Sequence, residues 1–75
     1  MARRVRVIIT PRQGILDPQG EAVERTLPTI GFAGVAEVRI GKVVDMEVPD
    51  GADVEAMCRQ LLANPLIEDW EVVER

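Results

Sequence analysis

Between Arg4 and Thr10 the chain alternates, with Val5, Val7 and Ile9 set against Arg4, Arg6 and Ile8. A period of two predicts a strand with one buried face. Pro11-Arg12-Gln13-Gly14-Ile15-Leu16 then reads as a loop, and Asp17-Pro18 as a helix N-cap followed by proline in the first helical position. Val23, Leu27 and Ile30 recur at helical spacing up to Gly31, which suits the left-handed position beyond a helix end. Pro28 interrupts this pattern: its ring removes a hydrogen bond to Glu24 and crowds the turn, so a kinked or shortened last turn is expected.

Two further strands are predicted, Val35 to Ile40 and Val44 to Val48, joined at Gly41-Lys42. A tight two-residue turn would bring Asp45 onto the face of Val38. A loop one residue longer pairs Ile40 with Val44, Val38 with Met46 and Arg39 with Asp45, so the longer loop or a bulge is expected. Asp50-Gly51-Ala52-Asp53 caps a second helix, in which Val54, Met57, Cys58, Leu61 and Leu62 form one apolar stripe. Asn64-Pro65 stops it, and Trp70-Glu71-Val72-Val73 makes a last strand.

The order βαββαβ predicts an α+β fold over a single domain, residues 1–75. This is the ferredoxin-like two-layer sandwich, in which a four-stranded antiparallel sheet of order 4-1-3-2 carries two helices on one face. In that order Arg4 and Arg6 of the first strand lie between two acidic strands. The charge distribution fits: seven basic and four acidic residues run through Lys42, and two basic and nine acidic follow.

A chain of 75 residues buries only about 60% of the surface its unfolded form exposes, so association would help it. The net charge of −4 and the presence of only Phe32 and Trp70 as aromatics argue against nucleic-acid binding. No apolar run approaches a membrane span, and the basic start lacks a cleavage site, which makes the cytoplasm the expected location. One cysteine and no histidine leave no internal disulfide and no ordinary metal site. With no Ser or Tyr either, the usual pairs of nucleophile and base cannot be assembled. The glycines form no phosphate loop, and Cys58 falls on an apolar stripe as a small core residue.

Contact surfaces are the remaining candidates. Ile15 and Leu16 make the helix-entry loop too apolar for an idle connector; they either tuck over the sheet edge or meet another protein. Lys42 and Arg39 at the hairpin are an anion site or a solvated tip. Ile8 and Val73 fall on the face away from the helices, among charged neighbours, and are the candidates for self-association.

Three stretches in order resemble the signature segments of the PurS family: Ile15-Leu16-Asp17-Pro18-Gln19-Gly20 with Ala22-Val23-Glu24, then Val38-Arg39-Ile40-Gly41-Lys42, then Met57 through Asp69. The resemblance covers nearly the whole chain. It implies a small subunit of phosphoribosylformylglycinamidine synthase in purine biosynthesis, without an active site or cofactor of its own, in a complex that uses ATP, Mg and glutamine. It also implies a homodimer or higher homo-oligomer held between a PurL-type synthetase and a PurQ-type glutaminase, supporting ammonia transfer. The motif maps onto Asp17, Pro18, Gln19, Gly20, Arg39, Gly41 and Lys42 as candidate contacts, beside Ile15 and Leu16. Pro28 and the loop from Pro11 to Gly14 depart from the family pattern. The competing expectation is a ferredoxin-like regulatory domain that binds a small molecule.

Overall fold

The computed structural model describes residues 2–75. Strand β1 (Ala2–Pro11) is central, flanked by β2 (Lys42–Pro49) and β3 (Glu68–Glu74), both antiparallel to it. The register places Val5 opposite Met46 and Glu74, Val7 opposite Val44 and Val72, and Ile9 opposite Lys42 and Trp70. Because the alternation of β1 is strict, this register sends Val5, Val7 and Ile9 into the core together. Arg4 and Arg6 do lie between acidic strands: Arg6 donates to Asp45 at 2.8 and 3.1 Å, and Arg4 approaches Glu47 at 3.9 Å.

The sheet has three strands rather than the expected four. Its order β2-β1-β3 keeps the central part of the expected arrangement and lacks the outermost strand. Residues 35–41 form no ladder, for two reasons. Glu37 has φ of 59°, which breaks the extended backbone, and the N–H groups of Val38 and Ile40 are captured by Glu24 and Asp17 at 3.0 and 2.8 Å. The expected hairpin loop at Gly41-Lys42 is also absent. Lys42 already opposes Ile9, and the chain runs straight from Gly41 into β2. The expected Arg39–Asp45 pair is replaced: Asp45 holds Arg6 and, at 3.6 Å, Arg75, while Arg39 donates to the Pro11 carbonyl.

Helix α1 (Pro18–Thr26) is capped by Asp17, whose Oδ1 accepts from the Gly20 N–H at 3.1 Å. Pro28 ends it as anticipated. The chain tightens into a 3-10 turn (Leu27–Ile30) and closes on Gly31 at φ of 104°. Helix α2 is one turn, Val54–Met57, continued by a π turn, Cys58–Leu62, in which the Ala63 N–H reaches the Cys58 carbonyl at 2.9 Å. This wider turn rotates the predicted stripe, so Ala63 is buried while Leu61 stands 82% exposed.

The expected pair of helices on one face is likewise corrected. Val5, Val7, Ile9, Val48, Val54, Cys58 and Ala63 form the core, with Met57, Leu62, Trp70 and Val72 packed against it, and α1 contributes nothing to it. The chain is therefore elongated, 50 × 24 × 13 Å, with a radius of gyration of 15.7 Å against about 11 Å for a compact chain of this length.

Candidate functional site

Arg12 organises one end of the molecule. Its N–H donates to the Ile67 carbonyl at 2.8 Å, its guanidinium donates to the Pro65 carbonyl at 2.7 Å, and Asp69 lies 3.4 Å away. These contacts tie the helix-entry loop to the turn that precedes β3. Four apolar side chains stand exposed on the two tied segments: Ile15, Leu16 at 72%, Leu66 at 82% and Ile67. The two alternatives for the loop divide between its side chains: Leu16 is left uncovered, whereas Ile15, 38% exposed, is partly covered. Leu66 and Ile67 were not singled out in the sequence, although two aliphatics directly after a helix-stopping proline carry the same signal as Ile15-Leu16.

The remaining motif residues meet where α1 crosses the segment leading into β2. Asp17 caps α1 with one carboxylate oxygen and holds the Ile40 N–H with the other. Both bonds favour the ionised carboxylate, the one from Ile40 most, and they hold its pKa below the ordinary value. Pro18 occupies the first turn and Gln19 is exposed. Gly20 is buried so closely under the Val38 carbonyl that a Cβ there would collide with it, and a Cβ on Gly41 would collide with the carbonyl of Ile9. The motif glycines thus serve close backbone approach. Arg39 donates to the Pro11 carbonyl at 3.1 Å, and Lys42 is exposed at the head of β2. A cleft of about 670 Å³ opens here, lined by Gln13, Leu16, Asp17, Glu21, Glu37 and Arg39 among others. The structure brings Asp17, Gly20, Arg39 and Gly41 into one junction and leaves Lys42 beside it.

Ile8 and Val73 lie on the sheet face opposite the core. Ile8 is flanked by Val43 and Glu71, and Val73 stands opposite Arg6. Val43, exposed on this face, joins them. Further out, α1 and the chain after it expose Val23, Ile30 at 63%, Phe32 at 57% and Val35. The sequence pattern places Val23 and Ile30 on a helix packed against the sheet and Val35 in a strand, and the structure leaves all three exposed. Cys58 is buried, and desolvation, with Glu55 adding to it, pushes its thiol pKa up. That environment suits packing rather than reactivity.

Residues 4–75 match the family model described as PurS: phosphoribosylformylglycinamidine (FGAM) synthase. The chain belongs to the PurS family. Among its relatives, the phosphoribosylformylglycinamidine synthase subunit PurS of Synechocystis is 44% identical over 71 residues, covering 87% of this chain and 71% of the relative. The PurS subunit of Methanocaldococcus jannaschii is 40% identical over 72 residues, covering 88% and 87%. In three dimensions the chain is similar to Bacillus subtilis PurS, with a TM-score of 0.87 at 35% identity, covering 100% of this chain and 99% of that one. A chain of the PurLQS structure from Thermotoga maritima gives a TM-score of 0.84 at 30% identity, covering 100% and 99%. The elongated, three-stranded form is thus matched along its whole length by solved PurS chains.

Proposed function

We propose that this PurS chain works as a non-catalytic assembly subunit of phosphoribosylformylglycinamidine synthase, pairing with itself and bridging a synthetase and a glutaminase so that ammonia passes between them. The observation that carries the reading is the distribution of apolar surface. A chain without His, Ser or Tyr exposes large aliphatic and aromatic side chains at the Arg12-tied end, along the limb of α1 and the chain after it, and on the outer sheet face at Val43 and Val73. Monomeric proteins seldom leave such groups uncovered in clusters. The PurLQS neighbour supports the choice of partners. A second copy covers the limb, and the end carrying Leu16 and Leu66 meets the larger subunits. ATP, Mg and glutamine are then used by those partners in a shared cytoplasmic complex, and this chain contributes by fixing the distance and orientation of the two chemistries.

Reconstitution tests the reading. Glutamine-dependent amidine formation should fall sharply when this chain is left out of a mixture of synthetase and glutaminase. Leu16→Asp should abolish co-purification with them while leaving the circular dichroism unchanged. Undiminished turnover without the chain would refute the proposal, and intact co-purification of Leu16→Asp would refute the assigned contact. The regulatory alternative would use the cleft beside Arg39, and a thermal shift of the isolated chain with an amino acid or nucleotide would favour it.

A further inference from the structure

Two carboxylates in the cleft beside Leu16 have nothing to hold. Asp17 accepts from the Gly20 and Ile40 N–H groups with its two oxygens, and Glu24, further along α1, accepts from Val38. Arg39, the one base lining the cleft, donates to the Pro11 carbonyl. Glu21 and Glu37 line the same cleft, are exposed, and have no hydrogen bond or ion pair among the described residues. Glu21 has a local reason for its place, since a carboxylate in the first turn of α1 sits at the positive end of the helix dipole. Glu37 has none. Its φ of 59° is the only left-handed value among the described non-glycine residues, and that conformation is unfavourable for a residue with a Cβ and open to glycine. Gly31 and Gly34 fill the two left-handed positions just before it. At position 37 the chain instead bears a strained backbone and carries a carboxylate into the wall of the cleft.

Another part of the wall is apolar. Ile15, Leu16 and Val38 line it, and Leu16 is 72% exposed. Three carboxylates against one guanidinium favour a cation, and the aliphatic wall favours a hydrocarbon stem behind the charge. Lysine and arginine side chains have both parts. Resting on the assembly reading and its assignment of Leu16 to the larger subunits, we propose that the cleft receives a basic side chain of the synthetase or glutaminase, its stem along Leu16 and its charge held by Glu21 and Glu37. The apolar contact at Leu16 then continues inward as an ion pair. Such a pair fixes the orientation of docking, which an apolar patch alone leaves loose.

Titration of the chain into synthetase and glutaminase tests the assignment, with Glu37→Gly separating contact from architecture. Glycine relieves the backbone, so the urea midpoint of this variant should equal or exceed that of the wild type. Its dissociation constant should nevertheless rise about tenfold, as for a lost hydrogen bond to a charged group. Glu21→Gln should act in the same direction, and the affinity of the double variant should fall less steeply with added NaCl than that of the wild type. Absence of any binding by the wild-type chain removes the assembly reading and this inference with it. Binding that Leu16→Asp abolishes, but that Glu37→Gly and Glu21→Gln leave unchanged with the same salt dependence, overturns this inference alone. A lowered urea midpoint in Glu37→Gly also overturns it, because the carboxylate would then serve the fold. So does a change in the chain's own mass in sedimentation at unaltered affinity for the larger subunits, which would give the cleft to a second copy.

Discussion

The sheet with α2 and the limb formed by α1 and residues 27–41 both carry apolar residues and use them in opposite ways. In the first, Val5, Val7, Ile9, Val48, Val54 and Cys58 close on one another until almost none of their surface remains exposed. In the second, Val23, Ile30, Phe32 and Val35 stay exposed, and the limb is attached by polar bonds through Asp17 and Glu24 and by the close approach at Gly20. A covered side chain raises the free energy of unfolding of its own chain. An uncovered one can raise only the free energy of an association.

The largest expected effect lies in the core. Ile9→Ala should cost about 2–5 kcal/mol in urea unfolding, through lost transfer free energy and the cavity left under α2. The counterpart in the limb is Phe32→Asp. It should leave the unfolding free energy of the dilute chain within about 0.5 kcal/mol of the wild type, yet shift the equilibrium toward monomer in sedimentation. If Phe32→Asp unfolds the chain as Ile9→Ala does, the distinction between the halves collapses.

That distinction also separates what the sequence revealed from what it did not. The buried face of β1 was legible because strict alternation admits one reading, and the caps at Asp17 and Asp53 because their side chains act on N–H groups three residues away. The break at Pro28 was equally plain, since proline lacks the donor that an α-turn needs. The missing strand was not legible. Val35, Val38 and Ile40 carry the propensity of a strand, but the distant carboxylates of Asp17, which caps α1, and Glu24, within it, take the N–H groups of Ile40 and Val38, a tertiary choice no local pattern encodes. The π turn was not legible either: the sequence pattern fits an α-helical stripe, whereas the five-residue closure from the Cys58 carbonyl to the Ala63 N–H accompanies a buried Ala63 and an exposed Leu61. Of the candidate site, the motif glycines and Asp17 were found by resemblance, whereas Leu66, Phe32 and Val43 emerge only once the fold shows what they lack as neighbours.

A smaller effect sharpens the boundary between the halves. Gly20→Ala places a methyl group against the Val38 carbonyl and the Asp17 carboxylate. The limb must shift to accept it, at about 1–3 kcal/mol. Hydrogen exchange should quicken at the Val38 and Ile40 amides and stay slow at Val7, because the sheet does not depend on that approach. Uniform quickening across β1 would mean that the limb and core unfold as one unit.

The smallest expected effect is one of pH. The bonds from Ile40 and Gly20 hold Asp17 below its ordinary value of 3.8. Its ionised form is therefore favoured in the folded chain, and the stability this gives is present above the unfolded value and lost as pH falls through the folded one. The Arg6 guanidinium holds Asp45 below its ordinary value too, so acid acts on the sheet as well. The two are separable by position. As pH drops below about 3.8, the Ile40 amide resonance should titrate with Asp17, and Asp17→Asn should abolish that titration while leaving the one felt near Arg6 in place. Asp17→Asn keeps one side-chain oxygen for the cap but loses the charge that draws in Ile40. Its limb should therefore exchange faster at neutral pH and show no further loosening in acid. An Ile40 amide that titrates unchanged in Asp17→Asn would show that the limb is held by something other than this carboxylate.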